Sequence, residues 1–248
     1  MNKLVNKKII AIIISLVVIL GLLGFYFKDN LDSIISPKTN SGAVDELITS
    51  NYSKDFHNLD LRSKKLGDMP NLCDMVEGTH YVDDIWAIDL ADNGIEDISE
   101  DLSCFKNLSE LYLSFNKIQE IKNLDELSFL KKLDLGNNEI KEISGLDKLV
   151  SLVDLHLGYN QIQTTSGLEN LINLTSLQLQ SNKLEDISNL SNLSKLETLK
   201  MEFNKLDNTD IKVIANLKNL KIITVGENTK IDKKTIDKLN EISRQNMK

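Results

Sequence analysis

The chain is 248 residues long, with a formal net charge of −8, 27% charged residues and two cysteines. Four lysines and no acid fall in its first 28 residues, so the remainder carries a formal −12 and would not adsorb to nucleic acid or anionic lipid by charge alone. Cys73 and Cys104 lack the short Cys-x-x-Cys or Cys-x-x-His spacing that converges ligands on one ion, which argues against a metal site.

Residues 1–8 form a basic tail with Lys3, Lys7 and Lys8. The 19 residues from 9 to 27 are uncharged and mostly apolar; as a helix they span about 28 Å, close to a hydrocarbon core of roughly 30 Å. The lysines ahead of them place that end in the cytoplasm and send the rest across the membrane. A cleaved signal peptide is the competing reading. Because residues 22–26 are mostly bulky and offer no small-x-small cleavage site, the expectation is an uncleaved signal anchor, a transmembrane helix over 9–27. Residues 28–43, with Pro37 and Ser41-Gly42 and little apolar content, read as a stalk linker. Residues 43–56 are expected to form a short capping helix at the start of a domain spanning 44–231.

That domain is repetitive. The best copies read LYLSFNKI (111–118), LDLGNNEI (133–140), LHLGYNQI (155–162) and LQLQSNKL (177–184). The asparagines fall at Asn93, Asn116, Asn138, Asn160, Asn182, Asn204 and Asn228, at spacings of 23, 22, 22, 22, 22 and 24, which is a solenoid period. Alternation in Leu-x-Leu sends both leucines to one face of a short strand. The Asn after them has two donors and an acceptor for backbone groups that a sharp turn leaves unpaired in its own and the neighbouring coil. A second apolar set, such as Ile140, Ile143, Leu146 and Leu149, closes each coil around a core that no single repeat could bury alone. An earlier degenerate copy, residues 59–66, has Lys64 where the Asn should stand, so the ladder is expected to break there. The 29 residues from Leu61 to Leu90 exceed the period by 7, predicting a longer convex loop or helix around residues 70–80.

At the other end Asp232 is a candidate N-cap, and Ile236, Leu239 and Ile242 recur at helical spacing, so residues 232–248 are read as a closing amphipathic helix.

These motifs resemble the 22-residue leucine-rich-repeat class of bacterial internalins and of a eukaryotic regulator of protein phosphatase 1, over roughly residues 56–228. The resemblance implies an α/β leucine-rich-repeat solenoid with short parallel strands on a concave face and turns or short helices on the convex side. For internalins it implies contact with host cells. Neither an immunoglobulin-like domain nor a Leu-Pro-x-Thr-Gly signal follows the repeats, so a partner in the producing cell's own envelope is an equal expectation. The phosphatase-regulator resemblance implies a cytosolic partner, and the apolar run at 9–27 argues against that location.

Within this framework the concave rows are Ala87, Asp89, Ala91; Glu110, Tyr112, Ser114; Lys132, Asp134, Gly136; Asp154, His156, Gly158; Ser176, Gln178, Gln180; and Thr198, Lys200, Glu202. The middle column, Asp89, Tyr112, Asp134, His156, Gln178 and Lys200, changes chemistry from coil to coil on a nearly constant frame, as tailored partner recognition or simple drift would produce. Phe115, Tyr159 and Phe203 precede the ladder Asn in every second coil; they either form an aromatic contact row or pack over the turn. Trp86 is expected to fill space beneath the enlarged first coil. Cys73 and Cys104 lie on the convex side of adjacent coils, as a disulfide or as two small buried side chains. The sequons at Asn107 and Asn173 matter only in a eukaryotic secretory protein.

Asp134 beside His156, with Ser114 and Ser176 nearby, is the sole suggestion of catalysis, and a cross-strand charge pair explains it more simply. There is no phosphate-cradling Gly loop or His-Glu-x-x-His helix, and the expectation is a non-enzymatic chain without cofactor, small-molecule substrate or nucleic-acid partner. The leading reading is a membrane-anchored, extracytoplasmic solenoid that binds a protein through its concave face. An envelope scaffold without a selective partner, and a cytosol-facing enzyme regulator, are the alternatives.

Overall fold

A computed structural model describes residues 50–54, 57–76, 81–98, 102–228 and 230–246. The basic tail, the apolar run 9–27, the stalk and residues 43–49 of the expected cap lie outside the described residues. Among the described residues no helix is long and apolar enough to cross a membrane.

The repeat motif becomes a nine-stranded sheet in sequence order. Strands β2 (Asn58–Asp60), β3 (Ala87–Asp89), β4 (Glu110–Tyr112), β5 (Lys132–Asp134), β6 (Asp154–His156), β7 (Ser176–Gln178), β8 (Thr198–Lys200) and β9 (Ile222–Thr224) run parallel, with equivalent residues paired. Each of these parallel strands is three residues long and is followed by a second buried apolar residue, such as Leu113, Leu135, Leu157 or Leu179, and its central residue points inward. That residue, such as Leu111, Leu133, Leu155 or Leu177, is fully buried, and each such side chain contributes about 1.5–3 kcal/mol.

The turn is made by the residue before the ladder asparagine. Asp92, Phe115, Asn137, Tyr159, Ser181, Phe203 and Glu227 all sit in the left-handed region, with φ between 55° and 60°. The asparagine then satisfies what the turn exposes. Asn138 donates through Nδ2 to Leu113 O (3.0 Å), Leu135 O (3.1 Å) and Gly136 O (3.3 Å), and its Oδ1 accepts from Ile118 N (2.9 Å). Asn160, Asn182 and Asn204 repeat the scheme. Asn182 is the partly exposed member of the ladder. The ladder ends as the Lys64 substitution implies: Asn93 Oδ1 accepts from Lys64 N (2.8 Å), and the ladder position of the preceding coil holds that lysine.

On the return limb, consecutive leucines close tight turns such as Leu149 N to Leu146 O (2.9 Å) and Leu152 N to Leu149 O (3.0 Å). Thr165 occupies the column of Ile121, Ile143 and Ile187; it is fully buried, and its hydroxyl has no partner among the described residues.

The N-terminal cap differs from expectation. Among the described residues of the expected cap, Ser50 and Asn51 are helical, but Tyr52–Ser53 form β1, antiparallel to β2. The open edge of β2 presents backbone groups that need partners, and a strand supplies them where a helix could not. The enlarged first coil carries two short helices, α1 (Leu72–Val76) and α2 (Tyr81–Asp84), in the region predicted to be loop or helix. Cys73 and Cys104 form a disulfide with Cα atoms 5.6 Å apart, tying α1 to the next coil. Closing a loop of 31 residues in the unfolded chain stabilises the fold by about 3–4 kcal/mol on the chain-entropy model. Trp86 does not fill the space beneath this cap. It is 52% exposed and stacks on the His57 ring, 4.7 Å between centroids.

At the far end α3 (Lys233–Asn246) starts where Asp232 Oδ1 accepts from Thr235 N at 2.7 Å, an N-cap bond. Leu239 buries against the last coil, and Asn246 Nδ2 donates to Leu220 O (2.8 Å), so the helix covers both apolar and polar groups of that end.

Candidate functional site

The middle column of the concave face is assembled by strand register: Asp89 pairs with Tyr112, Tyr112 with Asp134, Asp134 with His156, His156 with Gln178 and Gln178 with Lys200. All six are half-buried by their neighbours. Their contacts form short polar chains across the coils. Arg62, on the first coil, closes on Asp89 with Nε 2.9 Å from Oδ2, and that bond raises the guanidinium pKa. Tyr112 donates to Glu110 Oε2 (2.5 Å), with the Lys132 ammonium 5.1 Å from its ring centre. Burial, then the bond to Glu110, raise the Tyr112 hydroxyl pKa.

The longest chain centres on His156. Its Nδ1 lies 2.9 Å from Asp134 Oδ1, and its Nε2 lies 3.3 Å from Gln180 Nε2. Nδ1–H donating to the carboxylate leaves Nε2 to accept from the Gln180 amide. Burial alone would raise the Asp134 pKa, but bonds from His156, the Gly136 backbone N–H and Ser114 bring it below the usual carboxylate range.

The third column is not an open recognition surface. Ala91, Ser114, Gly136 and Gly158 are buried. A Cβ on Gly136 would stand 2.6 Å from His156 Cε1, and one on Gly158 would stand 2.7 Å from Gln180 Cδ. The glycines leave room for His156 and Gln180 to lie flat against the preceding coil. The sequence pattern put these residues on the concave side but not under its side chains.

Phe115, Tyr159 and Phe203 are 58%, 52% and 56% exposed. They do not pack over the turn. Standing in every second coil, they recur along the exit flank of the sheet at intervals of about 10 Å. A second apolar group, Phe129, Val150, Val153 and Ile172, is also exposed. It lies on the opposite flank, where the chain enters β5, β6 and β7. Sequence reasoning missed it, although apolar residues at positions that are polar in other coils are its visible signal.

Catalytic geometry is absent from the pair that suggested it. Ser114 is buried and bonds Asp134 rather than His156, so the imidazole has no hydroxyl nucleophile on it. Among the described residues no group of His, Cys, Asp or Glu could hold a metal ion.

Comparison with known proteins gives a consistent picture. A family model described as leucine-rich repeats (2 copies) matches residues 88–126 and 128–170. The crystal structure of an internalin (inlF) from Listeria monocytogenes aligns with a TM-score of 0.58 and 34% identity, over 64% of this chain and 46% of that one. An internalin C2 (inlC2) from the same organism aligns with a TM-score of 0.51 and 29% identity, over 64% of this chain and 79% of that one. The chain thus spans less than half the length of the inlF structure. No curated protein sequence matches it. Repeat motif, parallel sheet and these relatives together identify the chain as an internalin-like leucine-rich-repeat protein.

Proposed function

We propose that this solenoid binds a protein partner through its concave face and the aromatic row on its exit flank, held on the extracytoplasmic side of a membrane by residues 9–27. The observation that carries the reading is the placement of Phe115, Tyr159 and Phe203. A left-handed backbone costs an ordinary residue about 1–2 kcal/mol, and Asn or Asp bears it most easily. Asp92 and Asn137 occupy the equivalent site in other coils. A bulky aromatic placed there and left in solvent serves neither the turn nor the core, whereas aromatics are the side chains that anchor protein interfaces. The half-buried middle column beside them is already ordered by its own hydrogen bonds, which lowers the entropy lost on binding.

The test separates binding from stability. Replacing Phe115, Tyr159 and Phe203 together by Asn is expected to leave the melting temperature unchanged or higher, because Asn tolerates this backbone. The same variant should lose the partner that wild type captures by crosslinking from envelope or host-cell extracts. Identical capture profiles would favour a scaffold without a selective partner.

A further inference from the structure

Phe129, Val150, Val153 and Ile172 stand on three successive coils, on the flank where the chain enters the sheet and away from the concave face. In the coils on either side the matching positions are Lys106, Asn107, Ser194 and Lys195, so the patch interrupts a polar flank. The coils that carry it are tied to one another: Asn173 Nδ2 donates to Val150 O at 2.8 Å, and Val153 N donates to Lys131 O at 2.8 Å. Exposed charges of both signs edge it, lysines standing among Asp125, Glu126 and Asp147. Lys106 faces Glu126 at 3.2 Å and Lys148 faces Asp125 at 3.9 Å, whereas Lys195 donates to the Asn173 amide oxygen at 2.6 Å and keeps an uncompensated charge. Lys131 is exposed beside Val153.

We infer that this flank rests on a phospholipid surface, a contact that depends on the reading of residues 9–27 as a membrane anchor. Size argues against a second copy of the chain: four half-exposed side chains offer a few hundred Å², below the roughly 800 Å² per partner of a stable dimer. Size also argues against the apolar run itself, since as a helix it would be about 28 Å long and three coils extend only about 10 Å. A lipid interface accepts a few apolar side chains immersed to the acyl boundary with lysines at headgroup level. Reach is sufficient, because the 22 residues between 27 and Ser50 bridge at most about 75 Å. Tethering supplies a high effective concentration, so a weak contact suffices. The formal −12 of the body opposes approach to an anionic surface only within a Debye length of about 8–10 Å, and around the patch the exposed lysines and the exposed Asp125, Glu126 and Asp147 nearly balance.

The experiment uses the full chain in vesicles of mixed zwitterionic and anionic phospholipid, with the native disulfide intact and one added thiol carrying a fluorophore. Ser151→Cys places it inside the patch, and Glu139→Cys places it on the opposite flank. Flotation reports anchoring by itself. Spin-labelled lipid should quench the Ser151→Cys probe several-fold more than the Glu139→Cys probe. Adding Phe129→Ser and Ile172→Ser should abolish the difference while the chain still floats. Equal quenching of both probes in a chain that floats overturns the lipid contact and leaves the anchor standing. Failure to float removes the anchor and this contact with it. An intermolecular disulfide formed under air oxidation by unlabelled Ser151→Cys chains, together with no quenching of the labelled ones, assigns the patch to self-association instead.

Discussion

Gly145 shows how one methyl group decides a turn. Its φ is +65°, and a Cβ there would stand 2.5 Å from Ile121 O in the preceding coil. Asn123 holds the equivalent left-handed position one coil earlier and uses it to donate to Ile98 O at 3.0 Å. Gly94 has a similar φ of +73° with nothing within 4 Å of its Cβ. Gly94→Ala should therefore cost only the backbone term, about 1–2 kcal/mol, and Gly145→Ala about 2–5 kcal/mol because overpacking adds to it. Urea unfolding measures both, and equal costs would refute the clash. Asp134 offers a second residue-scale measurement. Its carboxyl pKa is lowered in the folded state, so its contribution is fully present above the unfolded value of about 3.9 and is lost as pH falls through the lower folded value. The stability gap between wild type and Asp134→Asn should be widest above about pH 5 and close toward pH 2–3. A gap that stays constant with pH would mean that the charge on Asp134 does not contribute.

At the scale of elements, what the sequence made legible were the features that repeat. The leucine pair set each strand, the asparagine set each turn, and the 22-residue spacing fixed the register in which Tyr112, Asp134, His156 and Gln178 meet. The closing helix was legible as well, from Asp232 and the spacing of Ile236 and Leu239. What escaped were demands made by neighbours rather than by local pattern. Tyr52–Ser53 became a strand because the edge of β2 was open, and nothing in those two residues announces it. Trp86 lies on the surface because His57, 29 positions away, offers a ring to stack on. Whether Cys73 and Cys104 pair depends on a Cα separation that only the folded coils define. The glycines under His156 and Gln180 read as small concave residues, yet their consequence lies in the side chain of the next coil. The entry-flank patch draws one or two residues from each of three coils and has no period of its own, so periodic analysis passes over it.

For the whole molecule, each coil meets only its two neighbours: ladder bonds stay within a coil or reach the adjacent one, and each parallel strand pair joins adjacent coils. Interior coils should then be interchangeable in a way that a globular core is not. Deleting residues 139–160, one full period, joins Asn138 to Gln161 and brings β5 beside β7 with every leucine and asparagine in its own column. That variant is expected to fold with an unchanged far-UV spectrum and a denaturant slope lower by about one-eighth, since the slope scales with the surface exposed on unfolding. Deleting 139–159 removes one residue fewer and retains Asn160 directly after Asn138. The extra residue throws the downstream strands out of register and turns their leucines away from the core. Its C-terminal coils should lose their cooperative transition in urea. The pair is informative because the shorter deletion leaves more of the native sequence in place: if stability followed the amount of buried surface alone, the 21-residue deletion would be the milder one. The opposite order would show that register within the stack governs this fold.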